Sequence, residues 1–173
     1  MDRRAITLPI HSFSLKDPLW YSTCDQWVVN KSVHYVLQCG IQNLDLNTGE
    51  KDRYSRRFPV TIFSCRTLKV LKLTNISVDN ISDEVDLHLH SLKTLHWNKS
   101  HFVYDHLIKL LLSCPILEDF ELKRCPKPYR IQNRFGMKFI ALPNLIKARI
   151  TSKSYIPLSM VCKAQILCLE QVV

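Results

Sequence analysis

The chain has 173 residues, of which 46% are hydrophobic, and 24 Lys and Arg against 15 Asp and Glu give it a net charge of +9. A chain of this length and composition can bury a sizeable core, which excludes a disordered polymer and a membrane span. We therefore expect a single domain over residues 1–173, with no membrane as a partner.

The amino-terminal segment lacks the features of a secretory signal. Pro9, His11 and Ser12 interrupt the apolar run that such a signal requires. We therefore expect the protein to stay in the cytoplasm or the nucleus. In those compartments its seven cysteines would remain reduced and form no disulfide framework.

One hydrophobic spacing, apolar-x-x-apolar-x-apolar, recurs along the chain. In chain order its copies are Ile10/Phe13/Leu15, Ile41/Leu44/Leu46, Leu68/Leu71/Leu73, Leu92/Leu95/Trp97, Leu117/Phe120/Leu122, Leu145/Ala148/Ile150 and a weaker Ala164/Leu167/Leu169. The four internal intervals between first members are 27, 24, 25 and 28 residues. Leucine-rich repeats have periods of about 20 to 29 residues, so the spacing predicts six to seven irregular repeats.

Each copy predicts a short strand whose last two apolar side chains share one face, because they lie two residues apart. The polar residues that flank them point to the opposite face. A single unit buries too little apolar area to be stable alone, whereas stacked units form a parallel sheet with continuous apolar rows.

Helices are predicted in two of the connections. Residues 25–40 begin with Asp25 as a candidate N-cap and end at Gly40 as a candidate C-terminal cap. The apolar stripe of this helix is Val29, Val33, Val36 and Leu37. Pro115 ends the second helix, which lies in residues 104–114. Its apolar side is formed by Leu107, Leu110 and Leu111.

The remaining connections, around residues 56–65 and 80–90, are shorter and less periodic, which favours turns or a single helical turn. Parallel strands that alternate with helices and turns predict an α/β fold. The expected architecture is a leucine-rich-repeat solenoid, in which a curved parallel sheet carries helices and turns on its convex side.

The last predicted unit has no evident polar cap. Solenoids normally close their terminal repeats with polar elements, because an open end exposes apolar side chains and an unpaired strand edge. We expect exposed apolar residues there, and an isolated chain that is marginally stable or sticky. The residues concerned are Ile166, Leu167, Leu169, Val172 and Val173.

Catalytic and metal-binding motifs are missing from the sequence. The three glycines lie too far apart for a phosphate-binding loop, and no Gly-x-Ser-x-Gly motif occurs. There is no Cys-x-x-Cys pair, and His101 and His106 lie five residues apart rather than the four that aligns two ligands on a helix. His88 and His90 would share a face only if their segment is extended. We expect no enzymatic activity, cofactor or metal site.

The polar side of the predicted sheet is the candidate binding surface, because solenoids bind proteins on extended concave faces. Its candidate partner-binding residues are Lys72, Thr74, His96, Asn98, Asp119, Glu121, Lys123, Lys147 and Arg149. The acidic Asp119 and Glu121 would lie between the basic residues near Lys72 and those near Arg149, so a protein partner would need matching charges. The alternative is that these positions are only the solvated side of a sheet.

Four segments of the chain resemble a known family. They are "DQWVVNKSVHYVLQCGIQNLDL", "RRFPVTIFSCRTLKVLKLTNISV", "SLKTLHW" and "LLSCPILEDFELKRC". Together they are similar to the repeat segment of plant F-box/leucine-rich-repeat proteins of the FBD type. In that family the F-box docks onto a cullin-type ubiquitin ligase through its adaptor subunit, and the repeats hold the protein to be ubiquitinated. The resemblance implies an interaction module for an unknown protein substrate.

The sequence departs from that family at both ends. Met1 lies only nine residues ahead of Ile10, which leaves no room for an F-box, and the chain stops at "LEQVV" inside an apparent unit. We therefore expect a domain truncated at both ends, with adaptor and cullin as partners only if an F-box is supplied elsewhere.

Two alternatives stay open at this point. The charge of +9 would also allow a basic solenoid that binds nucleic acid, although a solvated surface accounts for the charge better. The other alternative is a truncated copy of an F-box-family protein without independent function.

Overall fold

Every apolar triplet ends in a five-residue strand. The computed structural model describes residues 10–16, 26–48, 56–78, 85–99, 101–102, 104–125, 141–151 and 156–170. In chain order its elements are β1 (Ser12–Lys16), α1 (Gln26–Gln38), β2 (Asn43–Asn47), β3 (Arg56–Arg57), a 3-10 turn (Val60–Ser64), β4 (Val70–Thr74), β5 (Ile76–Val78), β6 (Thr94–Asn98), β7 (His101–Phe102), α2 (Tyr104–Leu112), β8 (Asp119–Lys123), β9 (Lys147–Thr151), α3 (Leu158–Val161) and β10 (Ile166–Glu170).

Seven strands form one parallel sheet in the order β1-β2-β4-β6-β8-β9-β10. The short strands β3, β5 and β7 form a second parallel sheet of three strands. Neighbours in the main sheet are successive repeats, and helices or the 3-10 turn occupy several of the connections. This topology confirms the predicted α/β leucine-rich-repeat solenoid.

The register aligns the apolar residues of successive repeats into rows. Leu44 is paired with Leu71, Leu71 with Leu95, and Leu95 with Phe120. The second row consists of Leu46, Leu73, Trp97 and Leu122. All eight side chains are at most 1% exposed. Full burial of such a side chain contributes about 1.5–3 kcal/mol, so these rows contribute substantially to stability.

Helix α1 covers the core with the predicted stripe. Val29, Val33 and Val36 are buried, and Leu37 packs partly buried against them. Gly40 follows the helix with a φ of +73°, and its N–H donates to the Leu37 carbonyl. This left-handed conformation suits glycine, which has no Cβ, so Gly40 acts as the predicted C-terminal cap. The predicted N-cap, Asp25, lies outside the described residues.

The other connections also pack on the convex side of the sheet. In α2 the predicted apolar side is buried through Leu107, Leu110 and Leu111. The connection near residue 60 forms a 3-10 turn, in line with the predicted turn or single helical turn, and its Phe63 stacks on Trp97 with ring centroids 6.0 Å apart. Residues 85–90 contain no helix, whereas residues 80–84 of the same connection lie outside the described part.

A left-handed residue follows each of three successive strands. Asn75, Lys99 and Arg124 have φ values of +58°, +52° and +52°. The Asn75 N–H donates to the Asn98 carbonyl and the Lys99 N–H to the Lys123 carbonyl. Side chains other than Gly, Asn or Asp rarely adopt this conformation, because Cβ approaches the backbone. The repeated hydrogen bond therefore holds Lys99 in a disfavoured backbone geometry, whereas the N–H of Arg124 donates to the Thr151 hydroxyl instead.

The apolar residues predicted to be exposed on the last unit are exposed where the structure describes them. In β10, Ile166 is 54% exposed, Leu167 43% and Leu169 59%. Val172 and Val173 lie outside the described residues.

The cysteines are distributed between the core and the surface, and no disulfide joins the six in the described part of the chain. Cys114 lies at the end of α2, and its thiol donates to the Leu110 carbonyl at 3.1 Å. Burial raises the pKa of this thiol to about 12, although a hydrogen bond with Ser113 partly opposes the shift. Cys114 is therefore a neutral core residue.

The raised pKa of Cys114 makes stability fall at alkaline pH. The thiol of the unfolded chain ionises near pH 9.0, while the folded thiol stays protonated up to about pH 12. Between these values the ionisation favours the unfolded chain by about 1.4 kcal/mol per pH unit at most. Urea unfolding measured from neutral pH to above pH 10 should show a weaker pH dependence in Cys114→Ala than in the wild type.

The matched control is Cys162→Ala, because Cys162 is exposed. It should keep the wild-type pH dependence. Equal alkaline slopes for the wild type and Cys114→Ala would contradict the assigned state of the buried thiol.

Candidate partner-binding face

The face of the main sheet opposite the core, here called the concave face, is made of the first, third and fifth residue of each strand. The first row is Ser12, Asn43, Val70, Thr94, Asp119, Lys147 and Ile166. The middle row is Ser14, Asp45, Lys72, His96, Glu121, Arg149 and Cys168. The last row is Lys16, Asn47, Thr74, Asn98, Lys123, Thr151 and Glu170. All nine predicted site residues lie on this face.

Glu121 is the centre of a charge network on the concave face. Its Oε2 lies 2.7 Å from Nε of Arg149 on the neighbouring strand, an ion pair without hydrogen-bond alignment. Nζ of Lys123 lies 3.8 Å from the same oxygen and 3.1 Å from Oε1 of Glu170. The Glu121 side chain is only 15% exposed, so solvent screens these contacts less than it screens pairs at the surface. The acidic side chains predicted between basic ones on this face are thus neutralised here by their basic neighbours.

The other carboxylates of the face are also close to cations or to histidine. Nε2 of His96 lies 3.2 Å from Oδ2 of Asp119, with both side chains at most 31% exposed. Nζ of Lys16 lies 3.8 Å from Oδ2 of Asp45, and the Lys16 side chain is 67% exposed, so this pair contributes little to stability. Short-range pairing between neighbouring strands therefore fixes several side chains of the face.

Residues of the last row form hydrogen bonds that connect the ends of neighbouring repeats. The Thr74 carbonyl accepts the N–H of Thr48, and the Asn98 carbonyl accepts that of Asn75. Thr151 is 2% exposed, and its hydroxyl accepts the Arg124 N–H at 3.0 Å. This edge of the face therefore has a structural role in addition to any binding role.

A groove beside the concave face was not predicted from the sequence. Its volume is about 510 Å³, and its lining includes Lys93, Ile116, Glu118, Ile146 and Lys163. Lys93 Nζ donates to Glu118 Oε1 at 2.7 Å. Both residues directly precede a strand, in neighbouring repeats, and this shared position is the sequence signal that could have revealed the pair.

An aromatic surface on α1 was also not predicted from the sequence. Trp27 is 63% exposed and Tyr35 52% exposed, and Lys31 Nζ lies 5.5 Å from the Trp27 ring centroid. Trp27, Lys31 and Tyr35 lie four residues apart, which places them on one side of the helix. This convex surface is separate from the concave face.

The rings of His88 and His90 have their centroids 5.8 Å apart, although their segment is not part of a strand. His88 Nε2 also contacts Asp86 Oδ2 and lies 3.5 Å from an Arg66 nitrogen. In the part of the chain that the structure describes, no group of three or more His, Cys, Asp or Glu side chains is arranged to hold a metal ion. No helix in that part is long and apolar enough to cross a bilayer.

The Glu121–Arg149 contact should be measurable by a double-mutant cycle. Glu121→Gln and Arg149→Gln should each lower the free energy of unfolding, with a coupling of about 1 kcal/mol because the pair is partly buried. The coupling should decrease between about 0.1 M and about 1 M salt. A parallel cycle with Lys16→Gln and Asp45→Asn should give almost none, and equal couplings for both pairs would contradict the assigned network.

Comparison with known proteins identifies the family. The model of the LRR repeats of FBD-associated F-box protein At5g56370 matches residues 29–151. F-box/LRR-repeat protein At4g14103 of Arabidopsis thaliana is 36% identical over 122 residues, which cover 66% of this chain and 29% of the relative. F-box/FBD/LRR-repeat protein At5g56420 of the same plant is 42% identical over 71 residues, covering 40% of this chain and 16% of the relative.

These relatives are named for their repeats and F-box, and neither name describes an enzymatic activity. The chain spans less than a third of the length of either relative. No solved structure matches it. Because the matched model covers most of the chain, from residue 29 to residue 151, the protein belongs to the leucine-rich-repeat family of FBD-associated F-box proteins.

Proposed function

We propose that the chain is the substrate-recognition part of an F-box subunit of a cullin-type ubiquitin ligase, and that its concave face holds the protein substrate. Membership of the F-box repeat family supports the role. The observation that carries the proposal is the set of three mostly polar rows, kept in register by the buried rows beneath them. Solenoids use extended faces of this kind for protein recognition.

The mechanism is proximity. The repeats hold a substrate, and an F-box, wherever it is encoded, docks the assembly onto the adaptor and cullin that bring the ubiquitin-transferring enzyme. The contacts of Glu121 with Arg149 and Lys123 restrain these side chains before the substrate arrives. Restrained side chains lose less conformational entropy on binding, which favours affinity. We propose that this takes place in the cytoplasm or nucleus.

The test is to fuse the chain to the F-box of At4g14103 and to identify proteins that become ubiquitinated in plant cells. The double variant E121R/R149E exchanges the two charges, so it keeps an ion pair while reversing the pattern that a substrate meets. We expect it to assemble into the ligase normally and to lose ubiquitination of the wild-type substrates.

The control variant is Trp27→Ser, which changes the exposed convex surface of α1 and should leave substrate ubiquitination intact. Thermal unfolding of all three proteins establishes that the differences do not come from loss of the fold. If E121R/R149E ubiquitinates the same proteins as the wild type, the concave face is not the recognition surface.

A further inference from the structure

Two lysines on the concave face have no ion-pair partner among the residues that the structure describes. The other three basic residues on this face, Lys16, Lys123 and Arg149, each lie within 4 Å of a carboxylate. Lys72, in the middle row, is exposed, and Lys147, in the first row, is partly exposed. Their charges are therefore available to a partner.

Lys147 has a carboxylate next to it in the register but no ion pair with it. Asp119 is the residue paired with Lys147 across β8 and β9. Oδ2 of Asp119 instead lies 3.2 Å from His96 Nε2, on the side away from Lys147. Lys147 therefore has no ion pair with the carboxylate that lies beside it in the register.

The separation of the two lysines follows from the sheet. β4 and β9 are three strand spacings apart, and Lys147 lies two positions before the level of Lys72 along the strands. With about 4.8 Å per spacing and about 3.3 Å per residue, the two Cα atoms are roughly 16 Å apart. An extended segment covers roughly 13 Å in four residues, and the flexible side chains of lysine and glutamate can span the difference.

We infer that the partner of the concave face is a protein with an extended acidic segment, in which two carboxylates four residues apart bind Lys72 and Lys147. The inference rests on the proposed function, because it specifies the chemistry of the substrate held on that face. The segment would cross β6 over Thr94 and His96 and β8 over Asp119 and Glu121, so the residues between its two carboxylates must be uncharged.

The mixed charge of the face favours an acidic protein over nucleic acid. Asp45, Glu121 and Glu170 lie among the cations of the middle and last rows. A nucleic-acid backbone carries closely spaced phosphates, so phosphates would approach these carboxylates. An acidic segment can place its carboxylates at the two available lysines alone.

The test measures binding of the peptide acetyl-GSESTSESG-amide to the full chain by NMR titration at about 0.1 M salt. A peptide with both glutamates replaced by glutamine is the ligand control. K72E/K147E should bind the acidic peptide at least about tenfold more weakly than the wild type, since two attractions become repulsions. K72Q/K147Q should lose less affinity for the acidic peptide. It replaces K72E/K147E in the comparison if that variant does not fold.

The matched protein control is K69E/K163E, which makes the same change in net charge at two exposed lysines outside the three rows. It should bind the acidic peptide like the wild type. Equal losses in both double variants, or equal affinity for the glutamine peptide, would overturn the inference. Binding of a duplex oligonucleotide that exceeds peptide binding and depends on Lys72 and Lys147 would overturn it in favour of nucleic acid.

The peptide titration and the ubiquitination experiment can fail independently of each other. If E121R/R149E loses its substrates while the acidic peptide fails to bind, the recognition role stands and the acidic partner is wrong. If the peptide binds through Lys72 and Lys147 but no protein is ubiquitinated, the acidic-segment site stands and the ligase role fails.

Discussion

The structure depends on one constraint, which is that no repeat can bury its apolar side chains without the next repeat in register. Leu95, for example, is buried because Leu71 and Phe120 lie on either side of it in the same row. A shift of one residue in any strand would turn its apolar residues to solvent and its polar residues to the core. The register is therefore fixed by the core, and the positions of all polar side chains on the sheet follow from it.

That fixed register determines which side chains lie next to one another on the concave face. Neighbouring strands bring side chains within ion-pair distance although they are far apart in sequence, as with Glu121 and Arg149. Most charged side chains of the face take part in such ion pairs, whereas Lys72 and Lys147 remain available to a partner. The net charge of +9 is thus a poor guide to the partner, because what a partner meets is the residual pattern after internal pairing.

The sequence was sufficient to predict the repeats, α1, α2 and the nine candidate residues of the concave face, because these follow from hydrophobic periodicity. For the connection near residue 60 it predicted turns or a single helical turn, and the four-residue α3 was not predicted. The pairing of Glu121 could not be predicted, because rotamers decide between Arg149 and Lys123. The left-handed residues Lys99 and Arg124 were also missed, since only Asn75 carries a side chain typical of that conformation. The very short strands β3, β5 and β7 have no periodicity that a sequence pattern could reveal.

The most direct test of the shared core is hydrogen exchange of the backbone amides, measured residue by residue by NMR. If the apolar rows hold the sheet together, the amides of β4, β6 and β8 should be the slowest and should exchange through a common opening with similar free energies. The amides of the outer strands β1 and β10 should exchange faster, because each has a neighbour on one side only among the described strands. Exchange of β4, β6 and β8 with widely different opening free energies would contradict a single core built from interdependent repeats.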